Sequence, residues 1–449
     1  MEPDAYPRVL VVTALPFSRS TGGGITSSNL FAGWPRDRLA QLHTEDGAQA
    51  EVCERFFRLP LRQAPVEYHL RRLLQRQRGQ GPEPTAGGNV GPAEQGAPEQ
   101  GAAARAQLHA AYDLSPLRVP HGLGDWLRDF RPDVVYCTLG TIRLTRLALL
   151  AARRCRTPMV PHFMDDWPAT LYADGELGGL ARRALHRGLS AVLRRSAFGL
   201  GISAPMAEEY HRRYGIPFTA FANSVADSEL DPPAGRPDRP EGSGTLELVY
   251  VGALHLDRWE PLLAVADAVD AANQAGRSVR LTLHVPEKDR AWYGPRFAGR
   301  PAVRVAEPLA DADVPAVLRG ADILLHVESF AEAHRRYARY SLSTKLPRYL
   351  AAGRPILGYG PAELASMRHI EEAGAGLVVG AADQRLLVDR LTTLAADGAL
   401  RAELARDGRA YAARHHHRAR TAAAFAEVMR RAASGASLPD PVRAPAGTA

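Results

Sequence analysis

Hydroxyl groups, an ammonium group and the unpaired N–H groups of a helix start can together hold phosphate oxygens. The stretch SLSTKLPRYLAAGRPILGYG (residues 341–360) offers all three. Ser343 or Thr344 can cap a helix, Lys345 follows, and Pro347 falls in the first turn, where a missing N–H costs little. Gly353 stops the helix, and residues 356–359 read as a buried strand. An ordinary capped helix with a solvated lysine has the same pattern. Arg348, inside that helix, either meets a further anionic group of a substrate or faces away. In VGALHLDRWEPLL (251–263), Arg258 opens a helix behind a strand, where a cation opposes the helix dipole but is well placed to pair with a diphosphate. HVESF (326–330) brings an apolar strand to an end at Glu328, whose carboxylate can reach a ligand or cap a turn.

Two loops nearer the N-terminus carry the other candidates. In PFSRSTGGGITSSN (16–29), Gly22, Gly23 and Gly24 let backbone approach a phosphate or an acceptor closely, and Thr26 begins the helix behind them. Ser27 stands where a dinucleotide-binding fingerprint has its last glycine, and no acidic residue ends the second strand, so NAD binding is disfavoured. In HFMDDWPATLY (162–172), His162, Asp165 and Asp166 can bond sugar hydroxyls or take an acceptor proton as general base. The alternative is that Asp165 or Asp166 caps the next turn while Trp167 packs in the core. His415, His416 and His417 would point in different directions on one helix, so the tract reads as a solvated face and no metal site is expected. Cys53, Cys137 and Cys155 have neither metal-ligand nor catalytic spacing and read as reduced structural thiols.

Such residues act only if strands hold them. RVLVVTAL (8–15), DVVYCTL (133–139), PMVPHF (158–163) and AFGLGI (197–202) are apolar runs, each followed by a helical pattern, as in a parallel sheet covered on both faces. A second series, LELVYVGAL (246–254), SVRLTLHV (278–285), DILLHV (322–327), PILGYG (355–360) and GLVVG (376–380), alternates with helical patterns in the same way. The fold class is therefore α/β, with two Rossmann-like doubly wound domains, residues 1–230 and 245–415. Residues 78–106 read as a disordered insertion and 231–244 as the interdomain linker, both rich in Gly and Pro without periodicity. A helix over 416–434 is expected to pack back on the first domain, and 435–449 to be a loose tail. Ligands bind at the carboxyl ends of such strands, which two tandem domains can turn toward a common cleft.

At 449 residues, with 45% apolar and 23% charged residues, the chain suits two soluble domains. The formal charge of +7 comes from scattered arginines with no aromatic-interleaved stripe, which excludes a nucleic-acid partner and leaves a modest pull toward anionic ligands. No apolar run reaches the roughly 18 residues of a membrane span, so a cytoplasmic location is expected. Basic helices at 71–78 and 181–195 would suit contact with the inner face of an anionic membrane, although solvated faces explain them more simply.

Taken together, P-x-S with GGGITSSNLF, HFMDDWP, YVGALHLDR and STKLPRYLAAGRPIL resemble the bacterial GT-B glycosyltransferases of the retaining family 4 type. The resemblance spans nearly the whole chain except the insertion and the tail. It implies a C-terminal domain holding a nucleotide-diphosphate sugar, with Arg258 and Ser343, Thr344 and Lys345 on the diphosphate. It implies an N-terminal domain holding a glycan, lipid-linked or natural-product acceptor, with Gly22 to Gly24 near the transferred sugar. No cofactor or metal is implied, because cationic side chains stabilise the leaving phosphate, which itself assists deprotonation of the acceptor. The chain departs from the family at Tyr340 and Arg348, where two glutamates are common, the second binding the donor ribose. Arginine cannot accept ribose hydrogen bonds. Met164-Asp165 likewise replaces a common His-Asp pair. The rival expectations are a non-catalytic partner of another transferase and a nucleotide-sugar hydrolase.

Overall fold

The computed structural model describes residues 6–18, 22–48, 50–59, 102–231 and 244–438. The chain divides into two compact units, one formed by Met1–Asn223 with Ala419–Ala449 and the other by Ser224–Arg418. The division falls after residue 223, so the short helix Asp227–Leu230, read from composition as the end of the first domain, belongs to the second unit. Most of the linker, the basic stretch 71–78 and the tail from 439 lie outside the described residues. Of the insertion, residues 102–106 are helical, the start of Ala102–Leu114, and the remainder is outside the described residues.

Among the described residues of the first unit, seven parallel strands run in chain order as β1 (Val9–Thr13), β2 (Leu39–His43), β3 (Arg55–Arg58), β4 (Val134–Thr138), β5 (Met159–Phe163), β6 (Gly199–Gly201) and β7 (Phe218–Ala220). Their order across the sheet is β3-β2-β1-β4-β5-β6-β7. The strand order reverses between β1 and β4. β1 and β5 are buried at every position, which is why they read as unbroken apolar runs. β2 is equally buried but carries Gln41, whose amide accepts from Phe17 N at 3.0 Å and donates to Thr13 Oγ1 at 2.9 Å. That side chain pins the segment after β1. The last helix, Arg418–Ala433, closes the core: the Phe425 ring lies 5.0 Å from Phe31, 5.4 Å from Phe221 and 5.7 Å from Tyr136.

The described residues of the second unit form six parallel strands, β8 (Leu246–Val251), β9 (Val279–His284), β10 (Val303–Ala306), β11 (Ile323–Val327), β12 (Ile356–Tyr359) and β13 (Gly376–Val379). Their order is β10-β9-β8-β11-β12-β13, which reverses between β8 and β11. Helices Trp259–Gln274 and Gln384–Ala396 cover one core, in which Leu248, Leu262, Val269, Leu325 and Leu391 are fully buried. β3, β7 and β10 are edge strands, short or with exposed charged residues such as Arg55, Arg58 and Arg304. This polarity hides them from an apolar-run reading.

Candidate functional site

The point where strand order reverses in a doubly wound sheet opens a crevice between neighbouring loops. In the second unit this point lies between β8 and β11, and the candidates Arg258 and Glu328 follow those two strands. After β8 the chain passes Gly252 at φ +150, then Leu256 at +59 and Asp257 at +52, two non-glycine residues in the left-handed region. These turns deliver Arg258 to the start of helix Trp259–Gln274. Its guanidinium meets Glu328 in a two-pronged ion pair, Nε to Oε2 at 3.0 Å and Nη2 to Oε1 at 3.2 Å, with both residues buried. Nη1 lies 3.0 Å from His255 Nε2.

Lys345 joins the same cluster. Its ammonium donates to the Tyr250 hydroxyl at 3.2 Å and lies 4.3 Å from the centre of the Tyr250 ring. Gly252 makes the room: a Cβ there would stand 2.7 Å from Nζ of Lys345. Gly360 does the same for the carboxylate, since a Cβ would stand 2.9 Å from that of Glu328. Burial pulls the Lys345 ammonium down to about 7, Arg258 pushes the same way, and Glu328 opposes them. For Glu328, burial acts upward but is overcome by Arg258, His326 and Lys345, which hold the carboxyl well below its usual range. His326 is fully buried, with Nε2 3.3 Å from Glu328 Oε1.

The helix that carries Lys345 differs from the sequence reading. It runs Leu346–Ala351 with Lys345 itself at the cap position and no capping side chain, so neither Ser343 nor Thr344 caps it. Ser343 instead donates its N–H to Ser366 Oγ at 3.0 Å and accepts Leu346 N–H at 3.1 Å. Pro347 does fall in the first turn, and Gly353, at φ +62, follows the end. Arg348 is held by two carboxylates, Nη1 to Asp311 Oδ1 at 2.6 Å and Nε to Glu229 Oε1 at 2.9 Å. It ties this helix to the loop after β10 and to helix Asp227–Leu230.

Two of the first-unit candidates, Asp166 and His162, are tied into the core. Asp166 is buried and accepts from Arg213 Nη1 at 2.7 Å, Arg213 Nη2 at 2.9 Å and Tyr210 Oη at 2.9 Å. Three donors engage both oxygens of this buried carboxylate, which disfavours a general-base role. His162 is inside β5, with Nδ1 2.8 Å from the Tyr136 hydroxyl, and burial pulls it down to about 4 despite backbone groups of Phe221 and Gly201. It is a neutral core imidazole. Asp165 is half-buried in the following loop. Trp167 packs in the core, stacked 5.6 Å from Phe163. Gly22, Gly23 and Gly24 are not a loop but the first turn of helix Gly22–Leu30, and Thr26 returns its hydroxyl to Gly22 O at 3.1 Å.

The histidine tract is also corrected. Helix Gly398–His415 ends within it, His416 is buried with Nε2 2.8 Å from His369 Nε2, and His417 pairs with Asp227 at 3.2 Å. No group of three metal-ligating side chains occurs among the described residues. The three cysteines are free thiols. Tyr250, Gly252, His255 and His326 were missed as site residues. A glycine directly after an apolar strand, and a histidine three positions before Arg258, are the signals that could have found them.

The second unit is a doubly wound α/β domain with a lysine and an arginine gathered beside its strand-order reversal, the place where such domains bind ligands. Residues 35–222 match the family described as "Glycosyl transferase 4-like domain", and residues 266–427 the family described as "Glycosyl transferase-like". The chain belongs to the GT-B glycosyltransferases with a family 4-like domain. Among solved structures it is similar to HepE of Anabaena in complex with UDP and glucose, at 13% identity and TM-score 0.58 over 94% of this chain and 99% of that one. Sucrose-phosphate synthase from Thermosynechococcus elongatus gives 13% and 0.59 over 96% and 100%. WaaG, a glycosyltransferase involved in lipopolysaccharide biosynthesis, gives 14% and 0.56 over 95% and 100%. These likenesses establish the GT-B fold. No curated protein sequence matches the chain.

Proposed function

We propose that this glycosyltransferase draws its sugar from a nucleoside-diphosphate donor whose diphosphate binds at Arg258 and Lys345, and passes it with retention to an acceptor hydroxyl. The single observation behind the reading is the meeting of these two cations at the strand-order reversal of the second unit. Two charge-assisted contacts oppose the negative charge that builds on the departing phosphate, so the reaction needs no metal ion. Retention, with the leaving phosphate assisting the acceptor proton, follows from the family resemblance. UDP is the first nucleotide to try, because HepE was solved with UDP and with UDP-glucose.

The acceptor is a glycan, lipid-linked or small-molecule hydroxyl held by the first unit. Asp165 remains the candidate there for orienting it. No helix of the described residues is long and apolar enough to cross a membrane. A cytoplasmic enzyme that docks on an anionic membrane surface fits helix Leu180–Leu193, which exposes Leu180 at 56% together with Arg183 and Arg187.

Calorimetric titration of UDP, GDP, TDP and CDP, without added metal, tests the donor site. One of the four binds the wild type, and Arg258→Ala or Lys345→Ala weakens it about 10- to 100-fold, the loss of a charge-assisted hydrogen bond of ~1.5–3 kcal/mol. Binding by none of them, or equal binding by both variants, would remove the donor site from this cluster.

A further inference from the structure

In the cluster at the strand-order reversal the acids are engaged elsewhere than at Lys345. Glu328 is committed to Arg258 through both carboxylate oxygens. Lys345 has instead a neutral phenol at 3.2 Å and an aromatic face, and no carboxylate of the described residues pairs with it. The other titratable neighbours do not supply the missing charge. His255 meets Arg258, His326 meets Glu328, His334 lies 3.6 Å from Asp257, and Asp289, which acts on Tyr250, accepts Leu254 N–H at 2.7 Å. Arg348, one turn further along the helix, is taken by Asp311 and Glu229.

We propose that a nucleoside diphosphate enters this site together with one proton, which Lys345 takes up from solvent. The inference rests on the donor-site reading above and adds to it a proton linkage. Without a diphosphate a charged Lys345 stands beside Arg258 with only the Tyr250 ring and hydroxyl as partners, so above about pH 7 the neutral amine is favoured. A bound diphosphate supplies that anion, and the amine becomes an ammonium that donates to phosphate oxygen. The amine lone pair forms an N–H bond with a solvent proton, and no other bond changes. A burial-lowered ammonium near 7 agrees with this account. Donor affinity then falls as pH rises above about 7, approaching tenfold per pH unit.

The test is calorimetric titration of the full chain at pH 8 with whichever of UDP, GDP, TDP and CDP binds, in Tris and in HEPES, whose ionisation enthalpies differ. The difference in heat gives the protons taken up. At this pH the second ionisation of a phosphate, with a pKa of about 6, is largely complete, so the ligand contributes little. The expected count is close to one per nucleotide. Lys345→Arg, which carries its charge at every accessible pH, should bind with no uptake, while Lys345→Met should bind weakly and also without uptake. The wild-type affinity profile between pH 6.5 and 9 gives a second reading that depends on no variant. Tight binding with no proton uptake overturns the linkage and leaves the donor site standing. Uptake that persists in Lys345→Arg overturns the assignment to Lys345 and moves it to His255 or His326. Failure of all four nucleotides to bind the wild type overturns the linkage and the donor site together.

Discussion

A side chain can act on a substrate only if its own protein has not already used it. Asp166 has three donors around its carboxylate, and His162 is sealed between the Tyr136 hydroxyl and the sheet, so both serve the first unit's core. His162 has a consequence for acid stability. Its ordinary value is 6.5 and burial lowers it to about 4 in the folded chain, so between these values the unfolded chain binds more protons. Stability from this group is therefore complete above about 6.5 and is lost as pH falls toward 4. At ~1.4 kcal/mol per pKa unit the loss is about 3 kcal/mol. Urea unfolding at pH 7 and pH 4.5 should show that loss in the wild type and a flatter response in His162→Gln. Equal pH slopes in the two proteins would mean that His162 is not the buried neutral group described.

Helix Leu346–Ala351 and its cap residue perform two tasks one turn apart. Lys345, at its cap, enters the charge cluster, while Arg348 holds the helix to Asp311 and Glu229. The arginine in place of a ribose-binding glutamate is thus explained by its partners: it is a clamp between segments of the second unit. Arg348→Glu would place three carboxylates together, two of them partly buried, and reverse attraction into repulsion. The expected outcome is a loss of ~3–5 kcal/mol in the second unit, read as a lower melting temperature, with Arg348→Met losing less. A variant Arg348→Glu as stable as the wild type would show that the clamp contributes nothing. Element by element, the apolar strands β1, β4, β5, β8, β9, β11 and β12 could be read in sequence because both faces of each are largely buried. β2 was hidden by Gln41 and His43, buried polar residues, the first bonded to the segment after β1 and the second to Glu45 O just past its own strand.

Across the whole chain, the last helix returns from the second unit to complete the core of the first. Phe425 touches Phe31, Trp34, Tyr136 and Phe221, so the first unit is built from both ends of the sequence. Phe425→Ala should destabilise that unit by ~3–5 kcal/mol, the usual effect of emptying a buried aromatic site. Urea unfolding followed by tryptophan fluorescence, to which Trp34 contributes, would register it, and an unchanged first transition would contradict this packing. The alternation of apolar runs with helical patterns is a local property, so it determined by itself that the chain is two doubly wound α/β units and placed Arg258 and Glu328 just after strands, whereas Lys345 follows β11 only after the helix Glu332–Ala338. Which of the candidates remain available was decided only in three dimensions. Burial, ion pairing and the reversal of strand order depend on residues distant in the chain: Glu328 lies 70 positions from Arg258, and Lys345 lies 95 from Tyr250. Those contacts joined one set of charges into a candidate donor site and turned Asp166, His162 and Arg348 into parts of the framework.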